Sequence, residues 1–320
     1  MPDKKKYAIG VDFGGTSIKF GIVSQAGKIV RKMALETKAD EGPKAVIKQI
    51  LKGIRELSKD EKYKISGIGV GSPGIISIKK GTVENPPNIR GWGKVHLGRI
   101  IEKETGIKTF VENDANTAAL GELIFGTGKL FNSFVMVTLG TGVGGGLIFD
   151  RKLYRGETGG AGEIGHVTIN MNGKRCNCGS YGCIEAYTGI NYLIDDVREL
   201  LGSRKESKIY EILENDLDLL TPKIISMAAE SEDEFAISVI NDVGNNLGCA
   251  LATVCNILDV TTIIIGGGVA GFGKRLFEAI EKTARERVLK SLAPRVRVMP
   301  AKLKNDAGIK GASALVFYKK

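Results

Sequence analysis

Two copies of a strand–glycine turn–strand unit constrain this sequence more than any other feature. Residues 7–23 contain an apolar strand, a turn at Gly14-Gly15 and a return strand. Residues 133–149 repeat that order around Gly140-Thr141-Gly142. Glycine at such turns lets the backbone fold back tightly or approach a ligand closely. The repeat therefore indicates an α/β fold with a duplicated core.

The length of 320 residues is typical of two domains. Apolar residues at helical spacing predict helices around the repeated units, and one stretch rich in Pro and Gly, residues 84–93, predicts a loop. The predicted helical segments are residues 42–58, 95–105, 115–125, 190–220, 223–258, 272–289 and 306–317. Cys249 and Cys255 lie on one apolar helix, and we expect both in the core.

The charge balance limits the classes of partner. The chain has 46 Lys and Arg against 36 Asp and Glu, a net charge of +10, but these cations are scattered and aromatic residues make up only 6%. This pattern disfavours nucleic-acid binding and suits a polyanionic small substrate such as a nucleotide. No apolar stretch approaches the ~20 residues of a membrane-spanning helix, and Asp12 interrupts any signal-peptide core. We therefore expect a cytoplasmic protein without membrane contact.

Three segments satisfy G-x-G-x-x-G: residues 69–74, 140–145 and 266–271. None has the strand, turn, helix and downstream acidic residue of a dinucleotide domain, and no Walker-type loop occurs. The two repeated turns can instead hold phosphates with backbone N–H groups, while the third lets adenine or ribose lie against the backbone. The alternative is that they are only tight turns. The predicted ATP- and phosphate-binding residues are Asp12, Gly14, Gly15, Thr16, Gly140, Thr141, Gly142, Val143, Gly266, Gly267 and Gly268.

Three cysteines lie close together in the sequence: Cys176, Cys178 and Cys183, with His166 ten residues before the first. Three thiolates and one imidazole match a closed tetrahedral structural zinc site. The alternative, three free thiols in a loop, leaves reactive groups exposed without a purpose. The sequence therefore predicts structural Zn²⁺.

Carboxylates flank this cluster and also follow a predicted strand. Folding around a metal would bring Glu163 and Glu185 together, and paired carboxylates with an amide and an imidazole suit sugar hydroxyls. Asp114 follows Asn113 where a strand ends and a helix begins. The commoner explanation of an Asp at such a position is a helix N-cap, and the alternative is a carboxylate that faces a cleft.

Seven segments together resemble the ROK family of sugar kinases and are most similar to its bacterial glucokinases. They are VDFGGTSIKFGIV, VENDANTAALGE, VTLGTGVGGG, GGAGEIGHVTI, CNCGSYGCIEAY, IIIGGGVA and DAGIKGAS. The resemblance covers essentially the whole chain. It implies the actin-like ATPase fold of hexokinases (ribonuclease H-like), with two α/β domains flanking a cleft. The expected domains are residues 1–117 plus 304–320, and residues 118–303.

The resemblance also implies roles for particular residues. Asp114 would be the catalytic base on the sugar 6-hydroxyl, and Asp12 would make an outer-sphere contact to Mg²⁺. The predicted sugar-binding residues are Gly74, Asn88, Asn113, Asp114, Glu163, His166 and Glu185, and Lys19 joins the predicted phosphate site. The expected reaction is ATP-dependent phosphorylation of a hexose, glucose above others, by a homodimer or higher homo-oligomer.

Two alternatives stay open at this point. The first is a kinase for another sugar, such as N-acetylmannosamine, mannose or fructose. The second is a sugar-sensing regulator, which in this family has a helix-turn-helix domain before the kinase-like part. The first phosphate turn begins at Asp12, which disfavours a regulator, as does the presence of Asp114. The sequence does not fix the phosphoryl donor among ATP, ADP and polyphosphate.

Overall fold

The structure, a computed structural model, describes residues 6–77, 80–87 and 89–318. The chain divides into two compact units. The first contains residues 1–132, 146–162 and 302–320, and the second contains residues 133–145 and 163–301. Residues 118–132 and 146–162, which the sequence prediction places in the larger domain, thus belong to the first unit.

A five-stranded sheet forms the centre of the first unit. Its strands are β1 (Tyr7–Phe13), β2 (Ser17–Ser24), β3 (Ile29–Glu36), β4 (Ile65–Ser72) and β8 (Thr109–Asn113). Their order is β3-β2-β1-β4-β8. The first three strands are antiparallel, and β4 and β8 run parallel to β1.

Four helices complete this unit: α1 (Pro43–Ser58), α2 (Leu97–Thr105), α3 (Asp114–Phe125) and α10 (Ala307–Phe317). Helix α1 begins at a proline in its first turn, where the missing N–H costs nothing. It buries Val46, Ile50 and Ile54 on one face, in the same core as Phe20 of β2. The helical spacing of these residues in the sequence is the reason that α1 is correctly predicted.

Glycines let the backbone of α10 contact the backbone of the sheet and of α3 directly. A Cβ at Gly69 on β4 would lie 1.7 Å from the carbonyl oxygen of Ala312. A Cβ at Gly311 would lie 1.8 Å from the carbonyl oxygen of Thr117 on α3. No side chain fits at these distances, so both glycines are required by packing. This packing fixes α3, and with it the β8–α3 junction.

In the second unit, most of the helices follow one pair of strands in the sequence and precede another. These strands are β9 (Phe134–Leu139), the start of β10 (Val143–Phe149), β12 (Thr262–Gly267) and β13 (Arg297–Pro300). The helices are α4 (Glu185–Thr188), α5 (Ile190–Leu201), α6 (Lys208–Ile212), α7 (Pro222–Glu230), α8 (Glu234–Leu258) and α9 (Lys274–Arg287). On α8, Cys255 is buried as expected, whereas Cys249 is only half-buried.

The duplicated core predicted from the sequence is present. With β11 (Lys152–Tyr154), the second sheet has the order β11-β10-β9-β12-β13. This repeats the order of the first sheet: third, second and first strand, then two strands that run parallel to the first. Each glycine turn joins the first strand of its copy to the second.

Three segments differ from the sequence prediction. The predicted helix over residues 223–258 is broken at residues 231–233, between α7 and α8, where the Asp233 side chain caps α8. A small antiparallel sheet, β5 (Ile75–Ser77), β6 (Thr82–Glu84) and β7 (Lys94–Val95), takes in part of the predicted loop. The predicted helix over residues 190–220 is broken after Leu201, where Gly202 and a run of polar residues end α5 before α6 begins. Among the described residues, no helix is long and apolar enough to cross a membrane.

Candidate active site

The first glycine turn lies between β1 and β2 and is held by hydrogen bonds. Gly14 N–H donates to the Ser17 carbonyl (3.2 Å), and the Thr37 hydroxyl donates to the Gly14 carbonyl (2.7 Å). Two residues before the turn, Asp12 lies opposite Lys19 in the strand register. Lys19 Nζ is 4.0 Å from Asp12 Oδ2.

Asp12 has a confined carboxylate. A Cβ added at Gly308, in the first turn of α10, would lie 2.3–2.6 Å from the carboxylate atoms of Asp12. Burial raises the pKa of Asp12, and the charge of Lys19 opposes that shift. A partly desolvated carboxylate beside a turn of N–H groups is suited to binding a hydrated cation together with phosphates.

At the β8–α3 junction, the structure assigns the helix cap to Asn113 and not to Asp114. The Asn113 side chain accepts a hydrogen bond from Asn116 N–H (3.1 Å), and Asp114 is the first residue of the helix. Asp114 Oδ1 accepts from Ala115 N–H (2.8 Å). A carboxylate in the first helical turn is stabilised by the helix dipole. The commoner explanation of Asp114, an N-cap, therefore does not hold.

Glu112 supports this junction, although it is not among the residues predicted from the sequence. Its side chain is only 3% exposed and accepts hydrogen bonds from Asn113 N–H (3.0 Å) and Asn116 Nδ2 (3.1 Å). Its second oxygen accepts from Arg155 Nε at 2.7 Å. A charged group this buried needs such partners. The only local signal was a Glu at the end of an apolar strand, since Arg155 is distant in the sequence.

Two further predicted sugar residues belong to the first unit. Gly74 has φ +90°, and a Cβ there would lie 2.7 Å from the Glu84 carbonyl oxygen, so glycine is required at this turn. Asn88 lies outside the described residues. The first unit thus contains Asp12, the first glycine turn, Lys19, Gly74, Asn113 and Asp114.

The second glycine turn, in the second unit, is connected to Glu185. Gly140 N–H donates to the Gly142 carbonyl (2.9 Å), and Val143 N–H donates to Glu185 Oε2 (2.9 Å). A Cβ at Gly142 would lie 2.3 Å from Glu185 Oε2. The N–H of Val143, predicted to bind phosphate, is therefore already engaged by a residue predicted to bind sugar.

The four predicted metal ligands lie together, with one donor atom of each within 4.8 Å of the others. Cys178 Sγ and Cys183 Sγ are 3.7 Å apart, and His166 Nδ1 and Cys176 Sγ are 3.9 Å apart. A tetrahedron with zinc–sulfur bonds of about 2.3 Å places its sulfurs about 3.8 Å apart. The residues present therefore fit a single Zn²⁺ ion.

The protonation of these thiols in the absence of metal is set by their surroundings. Burial raises the pKa of Cys176 to about 12, whereas a backbone hydrogen bond from Ser180 lowers the pKa of Cys178. A metal ion bound here would displace protons from the thiols, so its affinity would rise with pH.

Both predicted sugar carboxylates of the second unit contact this cluster. Glu163 Oε2 lies 4.0 Å from His166 Nε2, and Glu185 Oε1 lies 3.7 Å from Cys176 Sγ. Each acid therefore has one neighbour in this Cys/His cluster of His166, Cys176, Cys178 and Cys183, and a role of the cluster in orienting both acids stays a prediction. Glu163 is exposed, with 59% of its side chain accessible, so it has room for a further hydrogen-bond partner.

The third glycine run has a packing explanation for one member. Gly267 has φ +94°, and a Cβ there would lie 2.2 Å from the Leu139 carbonyl oxygen on β9. At Gly268, by contrast, a Cβ would meet only the Ile190 side chain, at 3.6 Å. Gly266 ends the buried part of β12. The packing role of Gly267 does not test the flat surface predicted for adenosine, which stays a prediction.

Comparison with known proteins gives consistent results. The family model described as ROK family matches residues 8–319. A glucokinase of Thermotoga maritima is 36% identical over 99% of this chain and 98% of its own length. The xylose repressor of Caldicellulosiruptor bescii is 30% identical over 96% of this chain and 77% of its own length.

A solved structure, that of a ROK family glucokinase from Streptomyces griseus in complex with glucose and AMPPNP, has a TM-score of 0.86 and 32% identity. The match covers 97% of this chain and 98% of that one. Together with the repeated strand order, this likeness confirms the actin-like ATPase fold expected from the sequence.

Proposed function

The chain belongs to the ROK family, and on that premise we propose that it phosphorylates a hexose, most favourably glucose, at the 6-hydroxyl with ATP as donor. The observation that carries the proposal is the position of Asp114. It is a carboxylate in the first turn of α3 that the capping of the helix does not require, because Asn113 is the cap.

Catalysis of phosphoryl transfer by a protein depends mainly on positioning the two substrates and on stabilising the charge of the transition state. In the proposed reaction, Asp114 accepts the proton of the 6-hydroxyl as that oxygen attacks the terminal phosphorus of ATP. The backbone of the turn at Gly14, Gly15 and Thr16 holds phosphate oxygens, and Lys19 supplies positive charge. Mg²⁺, bound with ATP, would neutralise charge on the phosphates, and Asp12 would hold its water shell.

In the second unit, Glu163, His166 and Glu185 would accept and donate hydrogen bonds to the remaining hydroxyls. Charge-assisted bonds of this kind are stronger than neutral ones and orient the sugar. Zn²⁺ at His166, Cys176, Cys178 and Cys183 would fix the loop that bears these acids and has no catalytic step of its own. The turn at Gly140, Thr141 and Gly142, with Gly268 beyond β12, would bind the nucleotide.

A second candidate function is sugar sensing without catalysis. It is favoured by the 30% identity to the xylose repressor of C. bescii, which extends over 96% of this chain. A sensor needs the hydroxyl-binding residues but not the base. The presence of Asp114 supports a kinase over a sensor, and sugars such as N-acetylmannosamine, mannose and fructose are the alternative substrates of a kinase.

The test is a coupled assay of ADP release across a panel of hexoses with ATP, together with direct measurement of the sugar phosphate formed when ADP or polyphosphate replaces ATP as donor. We expect glucose with ATP to give the highest kcat/KM, and ³¹P NMR of the product to show a 6-phosphate monoester. Sugar binding by calorimetry without turnover for any hexose and donor would favour the sensor instead.

A further inference from the structure

A basic cleft of about 650 Å³ lies in the first unit, beside β8, which is an edge strand of its sheet. Helix α2 contributes residues to one side and the end of α10 to another. We propose that this cleft binds a hydroxylated phosphate monoester, such as a sugar phosphate. The proposal does not rest on the proposed function, because it is argued from the residues that line this cleft.

Several cations line this cleft without an ion-pair partner in the part of the chain that the structure describes. Lys80, Arg99 and Lys103 line it, and none of them forms an ion pair within residues 6–77, 80–87 and 89–318. Nearby cations do have partners: Arg55 pairs with Glu104 (2.6 Å), which leaves that carboxylate unavailable to its neighbour Lys103. Two acids, Glu102 and Glu112, also line the cleft, and Glu112 is paired with Arg155, so the lining keeps a net positive charge.

Arg99 and Lys103 are four residues apart on α2, so their side chains lie on the same face of the helix. Like charges at this spacing destabilise a helix unless an anion lies between them. Glu102, the acid between them in sequence, has its Oε2 within 3.4 Å of Thr109 N–H, a donor on β8. An anionic ligand would satisfy the two cations.

Arg155 gives the cleft a fixed cation. Its Nε donates to Glu112 Oε2 at 2.7 Å, and its Nη1 reaches the Leu153 carbonyl at 3.5 Å. Because Glu112 is almost fully buried, Arg155 is held in one orientation, with 27% of its side chain exposed. A guanidinium that is already ordered loses little further freedom when it binds a phosphate oxygen.

The size and the remaining lining select the ligand class. The volume lies in the range of small-molecule sites and is far larger than inorganic phosphate requires. Phe110 and Leu315 give the cleft apolar surface, and the Glu102 carboxylate is a hydrogen-bonding group for a polyol. These features together suit a phosphate ester of a sugar better than the free anion.

The test is isothermal titration of the full chain with glucose 6-phosphate and, separately, with inorganic phosphate. Because glucose 6-phosphate is also the product of the proposed reaction, the protein for this test contains Glu163→Gln, which weakens that other site. We compare Arg99→Gln/Lys103→Gln with the matched pair Lys44→Gln/Lys48→Gln, two exposed cations at the same spacing on α1.

We expect saturable, salt-sensitive binding of glucose 6-phosphate that weakens about tenfold or more in the α2 pair, since each lost cation removes a charged hydrogen bond. The protein with the Lys44→Gln/Lys48→Gln pair should bind glucose 6-phosphate as tightly as the Glu163→Gln protein without either pair. Equal loss in both pairs, no loss in the α2 pair, or abolition of all binding by Glu163→Gln would overturn the proposal. Inorganic phosphate that binds as tightly as the sugar ester would refute the ligand class.

Discussion

Replacing Glu112 with Gln should lower turnover more than it lowers the affinity for ATP. The substitution keeps the size of the side chain but removes the charge that Asn113 N–H, Asn116 Nδ2 and Arg155 Nε share. These bonds fix the turn on which Asp114 is placed. Glu112 contacts no reacting atom in this account, so it acts as a positioning residue.

The magnitude follows from burial. Removing one partner of a fully buried ion pair costs about 3–5 kcal/mol. Arg155 retains 27% exposure and can be partly hydrated, so we expect a loss of about 2 kcal/mol in the free energy of unfolding. Displacement of the Asp114 turn by about 1 Å would lower kcat by about tenfold to a hundredfold, with the KM for ATP within about twofold of the parent value.

The control is Glu122→Gln at the other end of α3. Glu122 is also fully buried, and its carboxylate accepts from Leu303 N–H (2.8 Å) and Thr127 N–H (2.7 Å). Urea unfolding and steady-state kinetics are measured on both variants. Glu122→Gln should lose stability and keep kcat. Equal loss of kcat in both variants, or a normal kcat in Glu112→Gln, would show that Glu112 is only structural.

Three further predictions concern pH, metal and coupling. Burial raises the pKa of Asp12 in the folded state, so folding takes up a proton between its unfolded and folded pKa values, and stability falls as pH rises through that window. Asp12→Asn should therefore resist urea better than the parent at pH 7, with the difference vanishing at pH values below the unfolded pKa; a difference that grows on acidification would contradict this reasoning. Metal analysis should find about one zinc per chain, and Cys178→Ser should lose zinc and unfold at a lower temperature. Intact activity in zinc-free protein after strong chelation would contradict a role of zinc in fixing the sugar site. Glu185→Gln should weaken glucose binding roughly tenfold to a hundredfold and also weaken ATP binding, because Glu185 accepts a hydrogen bond from Val143 N–H, whereas Glu163→Gln should weaken glucose binding alone. Calorimetry with glucose and with ATP separately measures both affinities, and an unchanged ATP affinity in Glu185→Gln would contradict a role of Glu185 in the second glycine turn.

The duplicated core was predictable because each copy is local in sequence: an apolar strand, a glycine turn and a return strand. The Cys/His cluster was predictable for the same reason, since its ligands fall within one short segment. The strands β5, β6 and β7 were not, because two or three residues in a Gly- and Pro-rich stretch carry no measurable alternation.

Features that depend on distant residues were missed. The network around Glu112 needs Arg155, and the link from Glu185 to the second glycine turn needs Val143, far earlier in the chain. The sequence also could not predict that Asn113, and not Asp114, caps the helix. Both residues are good caps, and their positions differ by one residue, which is finer than periodicity can resolve.

The central claim, that Asp114 is the base of a hexose kinase, is tested most directly by turnover in Asp114→Asn. The matched control is Asp40→Asn, because Asp40 is exposed and is not one of the predicted site residues. The account predicts that Asp114→Asn still binds glucose and ATP in calorimetry but loses about a hundredfold or more in kcat, the usual effect of removing a general base, while Asp40→Asn keeps normal kinetics. Turnover by Asp114→Asn close to that of the parent protein would contradict the claim.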